Sequence, residues 1–182
     1  MLALSENPPM MSQDIGSLLD IEGDWWVAHT KARCEKALAW DLHAGNIPWF
    51  LPMVERTAVW GGRKRKVLNA LFPLYVFFCG DQDDRQTVLR TGRVCQVIAV
   101  PQREKFVGEL DAIHRTLASK GDLAPYPFAA VGRRCRIARG PLKGIEGVVV
   151  RNHDSTRIVL EVSMLGQGAS LEIDGELLDP VE

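Results

Sequence analysis

Residues Arg139–Val150 read RGPLKGIEGVVV. Gly140, Gly144, Gly147 and Pro141 crowd together, and three valines follow directly. Proline fixes its own φ and glycine tolerates φ above zero, so Gly140-Pro141 suits a tight corner. Gly144 and Gly147 let the chain bend and enter the next strand without a Cβ clash. Val148-Val149-Val150 then has the β-branched character of a strand joining a sheet. The stretch is a loop-to-strand device from which Lys143 and Ile145 project. Geometry alone leaves two uses open: the glycines only shape the fold, or the loop presents side chains at the rim of a sheet.

The surroundings favour a small all-β unit. From Val131 to Glu182 only short strand-like pieces occur: Arg133–Ile137, Gly147–Arg151, Arg157–Val162, Ser170–Ile173 and Leu177–Leu178. Ile158, Leu160 and Val162 alternate with Val159 and Glu161, the period of a half-buried strand. Five short strands in about 50 residues imply a small barrel. Ahead of it, Pro125 and Pro127 forbid a continuing helix, so residues 121–130 read as a linker and 131–182 as the second domain.

Upstream the pattern differs. Trp25-Trp26-Val27-Ala28-His29-Thr30 opens as a strand. Cys34, Leu38 and Leu42, with Ala37 between, have helical spacing, and Gly45-Asn46 supply a stop. Trp49–Trp60 is extended with an interruption at Pro52, and Gly61-Gly62 is a turn signal followed by the basic run Arg63-Lys64-Arg65-Lys66. FPLYVFFC, Phe72–Cys79, is apolar enough for a strand covered on both faces. Asp81–Thr91 reads as a short helix, Val94–Val100 as a strand, and Phe106, Leu110, Ile113 and Leu117 form one helical stripe. The order β-α-β-β-β-α-β-α over residues 23–120 predicts an α+β sandwich with helices on one side of a small sheet. Residues 1–22, with Pro8 and Pro9, read as a loose tail.

Bulk composition narrows the classes. The chain has 182 residues, 46% hydrophobic and 25% charged, with a formal net charge of −1. Affinity for nucleic acid or an acidic membrane would therefore have to come from a local patch. Cys34, Cys79, Cys95 and Cys135 form no CxxC pair, and their gaps do not suit zinc. Cys79 and Cys95 sit in apolar runs and read as buried thiols, which fits a reducing cytoplasm. No run reaches the roughly 18 apolar residues of a membrane span, and the N-terminus lacks the pattern of a signal peptide.

With these residues in view, the chain resembles a known family. Val131-Gly132, Cys135-Arg136-Ile137 and GPLKGIEGVVV resemble the KOW motif. Trp25-Trp26-Val27, Leu51-Pro52, the hairpin through Gly61-Gly62 and Leu71-Phe72-Pro73-Leu74-Tyr75-Val76 resemble the N-terminal domain of NusG, and Val162-Ser163-Met164-Leu165-Gly166 resembles its barrel. The likeness runs from about residue 24 to 180 in the family's order. It implies a transcription elongation or antitermination factor, either a general one or a specialised paralogue of the RfaH, LoaP or UpxY kind. The implied fold is a NusG-type α+β sandwich followed by a five-stranded SH3-like KOW barrel.

The resemblance also implies sites. An apolar hollow including His29, Phe72, Pro73 and Tyr75 is expected to dock on the clamp helices of RNA polymerase and favour elongation by keeping the clamp closed. Relatives often carry an aromatic or aliphatic residue where this chain has His29. From the residues alone, Phe72 and Tyr75 read as ordinary sheet core, since aromatics usually serve packing, and the resemblance reverses that preference for Phe72 more than for Tyr75. Trp60, Arg63, Lys64, Arg65 and Lys66 are expected near upstream or non-template DNA, although a charge run seen alone is commonly a solvated turn. Gly140, Lys143, Gly144, Ile145, Gly147, Met164 and Leu165 belong to the KOW loop and partner-binding surface. The implied partners there are a NusE-type ribosomal protein or Rho, and Leu165 stands where general factors often have phenylalanine. The glycines and valines of Gly140–Val150 oppose a stable helix, so the barrel is expected to be constitutive. No cofactor, metal or membrane partner is implied, and a monomer is expected.

Two other classes compete. His29, His43, His114 and His153 are scattered, and no HExxH, GxSxG or phosphate loop occurs, so no catalytic site is visible. His114 and Asp111 share a helix at a spacing common on exposed faces. A ribosome-associated or RNA-binding KOW protein calls for a strongly basic barrel. Here seven arginines and lysines from Arg133 to Arg157 are offset by eight acids from Glu146 to Glu182.

Overall fold

The structure, a computed structural model, describes residues 6–12, 16–126, 132–151 and 155–181. It divides into two compact units, Met1–Arg103 and Glu104–Glu182. The sequence reading ends the first domain at residue 120, whereas the compact unit ends at Arg103.

The first unit contains β1 (Trp25–Thr30), α1 (Glu35–Ala44), β2 (Trp49–Phe50), β3 (Met53–Trp60), β4 (Arg63–Ala70), β5 (Tyr75–Cys79), α2 (Gln82–Arg90) and β6 (Val94–Ala99). Pro52 splits the expected Trp49–Trp60 strand into β2 and β3, as its missing N–H requires. Four strands form an antiparallel sheet in the order β2-β5-β1-β6. Side chains alternate across a strand, so Trp26 and Ala28 of β1 and Val76 and Phe78 of β5 share one face. They join Leu38, Ala39 and Leu42 of α1 and Val88 of α2 in one core. The other face carries Trp25, Val27 and Phe77, which are also buried. The all-apolar Phe72–Cys79 run thus serves a strand covered on both sides. α2 is closed by a capping box: the Asp81 carboxylate accepts from the backbone N–H groups of Asp83 and Asp84, and Asp84 accepts from that of Asp81.

Two expectations about this unit change. The described part of the expected loose tail is anchored. Met11 bridges Phe50, the Leu51 N–H donates to the Met10 carbonyl at 2.6 Å, and Leu18 and Ile21 are buried. Short apolar residues spaced through a proline-bearing segment give no periodicity, yet they suffice to pin it. Cys95 is exposed, not buried. The register of β1 against β6 passes from His29↔Gln96 to Thr30↔Val94, leaving Cys95 as the extra residue of a β-bulge.

The second unit begins within α3 (Arg103–Ala118), where Phe106, Val107, Leu110 and Ile113 form the buried stripe. Asp111 is buried on this helix, not on an exposed face. The unit continues with β7 (Ala124–Tyr126), β8 (Arg133–Ile137), β9 (Glu146–Arg151), β10 (Thr156–Val162), β11 (Gln167–Glu172) and β12 (Leu178–Pro180). These make one antiparallel sheet in the order β12-β8-β9-β10-β11-β7. The expected count was five. The sixth strand, β7, comes from the presumed linker, where Pro125 pairs with Ala169 at a sheet end that tolerates proline. Among the described residues no pairing joins β7 to β12, so the sheet is not closed. Gly147 answers the question raised by its sequence: a Cβ there would stand 2.5 Å from the Val159 carbonyl oxygen and 2.7 Å from Ile158 Cγ1. Only glycine lets β9 lie this close to β10.

Candidate functional site

Three groups of residues were expected to carry function, and each is positioned by a turn. The first is the turn Phe72–Tyr75. Pro73 fills its second position, Leu74 its third with φ 72°, and the Tyr75 N–H donates to the Phe72 carbonyl at 3.2 Å. These are the features of a type II β-turn, in which glycine normally takes the third position. A leucine with positive φ carries roughly 1–2 kcal/mol of strain. Two bonds hold it: the Glu35 carboxylate accepts from the Leu74 N–H at 2.8 Å, and the Thr30 N–H donates to the Leu74 carbonyl at 2.8 Å. The sequence reading singles out neither Glu35 nor Leu74. The available signal was a proline followed by a non-glycine residue just ahead of a strand.

This turn separates residues that the sequence grouped together. His29 and Tyr75 are register partners on β1 and β5, and their rings stack with centroids 5.2 Å apart. Both are half-buried, and Pro73 beside them is exposed. Together they form a ridge at the end of the sheet face opposite α1. Phe72, in contrast, is only 1% exposed and meets Phe77 edge-on at 6.0 Å. It is enclosed and does not belong to an exposed docking set. Its ring supports the turn from behind because the chain reverses at Pro73-Leu74, sending Phe72 inward.

The second group lies on the β3–β4 hairpin, an antiparallel ribbon in register from Met53↔Ala70 to Trp60↔Arg63. Its two-residue loop, Gly61-Gly62, has φ 54° and 74°, as a type I′ turn requires. Arg63, Lys64, Arg65 and Lys66 are all exposed. They lie on β4, not on the turn, so alternation divides them between two faces. Arg63 and Arg65 share a face with Arg56, while Lys64 and Lys66 share the other with Val59, which is 67% exposed. Lys66 pairs with Glu55 at 2.7 Å, and that carboxylate raises its pKa. The side chain of Trp60 lies outside the described parts.

The third group surrounds the quoted loop. Gly140 and Gly144 take φ 85° and 88°, and Lys143 is exposed. Ile145 is 2% exposed, so it packs inward instead of projecting. Its N–H and C=O bond to Leu142 and Ile137, which turns its side chain into the core. Met164 and Leu165 are half-buried on a single 3₁₀ turn ended by Gly166 with φ 61°. Glu109 holds that turn, accepting from the Ser163 N–H at 3.0 Å and its hydroxyl at 2.5 Å. A cleft of about 300 Å³ in this unit is lined by α3 and by residues including Arg134, Glu146 and Glu161, a mixture of signs without a nucleophile–base pair.

Among the described residues no three His, Cys, Asp or Glu side chains are grouped to hold a metal. No described helix is long and apolar enough to cross a membrane. His153 lies outside the described residues.

Taken together, the first unit is an antiparallel α+β domain with a stacked aromatic ridge and a projecting basic hairpin, and the second is an antiparallel sheet unit. Residues 23–111 match the family model described as transcription termination factor NusG, and this part of the chain is a NusG-family domain. The protein is therefore a transcription-related factor. No curated protein matches the chain.

Proposed function

We propose that this protein binds bacterial RNA polymerase through its first unit and promotes elongation or antitermination. The observation that carries this reading is the family match over residues 23–111 together with the solvent-facing His29–Tyr75 ridge and Pro73. A rigid aromatic pair beside an exposed proline suits contact with the clamp helices, because such anchors bind with little loss of side-chain freedom. Phe72 acts behind this surface, not in it.

The hairpin serves the same complex by approaching upstream or non-template DNA. Arg63 and Arg65 suit phosphate contact best, since they share a face with Arg56 and Lys66 is occupied by Glu55. The second unit is read as a KOW domain of SH3-like type that recruits a NusE-type ribosomal protein or Rho through Lys143, Met164 and Leu165. A general RNA-binding role is less favoured, because Glu146 pairs with both Arg136 and Arg134 and neutralises part of the basic strand.

The test is the affinity of the full chain for core RNA polymerase, measured for wild type, Tyr75→Ala and His29→Ala. The expected result is a loss of about tenfold or more for Tyr75→Ala, the scale of an interface hot spot, with an unchanged circular dichroism spectrum. Equal affinity of folded Tyr75→Ala and wild type would remove the docking assignment.

A further inference from the structure

We infer that Glu35 is a positioning residue for the docking turn, holding the Leu74 backbone in the left-handed conformation that sets Pro73 and Tyr75 at the surface. This rests on the docking reading of that turn. Leucine has no local hydrogen-bonding group to ease a positive φ, so φ 72° at Leu74 persists only if its surroundings over-determine it. The surroundings do so from two sides. The Glu35 carboxylate receives the Leu74 N–H, and the Thr30 N–H at the end of β1 reaches the Leu74 carbonyl, each at 2.8 Å. Thr30 adjoins His29, which stacks on Tyr75, so the clamp fixes both ends of the ridge.

The clamp also stands on a firm base. Glu35 is the first residue of α1, where the helix dipole favours a carboxylate, and Cys34 at the N-cap makes no side-chain capping hydrogen bond. One turn further, Leu38 and Ala39 are buried in the core, so the helix start cannot drift. The next residue, Lys36, donates to the Leu68 carbonyl of β4 at 2.5 Å. A single helical turn therefore grips both the docking turn and the base of the basic hairpin.

The test uses the full chain as Glu35→Ala, Glu35→Gln, Leu74→Gly and Glu35→Ala/Leu74→Gly. Turn closure is read in the free protein from hydrogen exchange at the Tyr75 amide, and docking from affinity for core RNA polymerase. Loss of a bond to a charged acceptor predicts exchange about tenfold faster and binding about tenfold weaker for Glu35→Ala. Glu35→Gln keeps most of both, because its amide oxygen still accepts. Leu74→Gly restores both to the Glu35→Ala protein, since glycine holds φ 72° unaided. Equal losses from Glu35→Ala with and without Leu74→Gly would overturn the inference, because Glu35 would then act only through helix stability. Unchanged Tyr75 exchange in Glu35→Ala would overturn it too. If wild type fails to bind polymerase, the docking reading falls, and the exchange rates alone decide the role of Glu35.

Discussion

Phe72 and Tyr75 stand three positions apart on one apolar run, and the Pro73-Leu74 turn gives them opposite surroundings. Phe72→Ala is expected to cost about 3–5 kcal/mol of stability in a urea titration, the range for deleting an enclosed aromatic ring. Tyr75→Ala, at a half-buried position, is expected to cost about 1 kcal/mol or less while losing polymerase affinity. Cysteines show a similar contrast. Burial pushes the Cys79 thiol from 9.0 up to about 11, and its Sγ donates to the Glu22 carbonyl at 3.4 Å. A folded-state pKa raised above the unfolded value stabilises fully below pH 9 and is lost as pH rises through 11. Stability should therefore fall over pH 9–11, and Cys79→Ala should flatten that fall. At pH 8 an alkylating reagent should modify Cys95 well before Cys79.

At the scale of elements, the β3–β4 ribbon sorts its cations by face. Arg63→Ala/Arg65→Ala is expected to lower the slope of log K against log salt for duplex DNA by about 2, while Lys66→Ala changes it less because Glu55 already pairs with it. The hairpin was legible in the sequence: Gly61-Gly62 marks its turn and Pro52 its start. The helices were legible too, from the spacing of Leu38 and Leu42 and from the Phe106–Ile113 stripe. The alternation of Arg63–Lys66 across two faces follows from strand geometry once β4 is placed, but a charge run alone does not announce a strand. The residues alone favour a core place for Phe72, as observed; the family resemblance moved it to the docking surface, and FPLYVFFC has no charged residue to mark which positions face outward. The bulge at Cys95 escaped notice for a related reason: a register shift leaves no mark in composition. Ile145 was misread because its loop is glycine-rich, whereas a few backbone bonds turn its side chain inward. The sixth strand was hidden by Pro125, which reads as a breaker and sits at a sheet end.

On the scale of the molecule, a NusG-family domain at residues 23–111 comes with a further antiparallel sheet unit and an N-terminal segment that pairs with β2. The central claim is that the His29–Tyr75 ridge, framed by Pro73 and set by Leu74, is where RNA polymerase binds. Hydrogen–deuterium exchange of the full chain with and without core RNA polymerase tests it most directly. The account predicts new protection at residues 29–30 and 72–76. Binding that leaves those segments exchanging as in the free chain, with protection confined elsewhere, would contradict it.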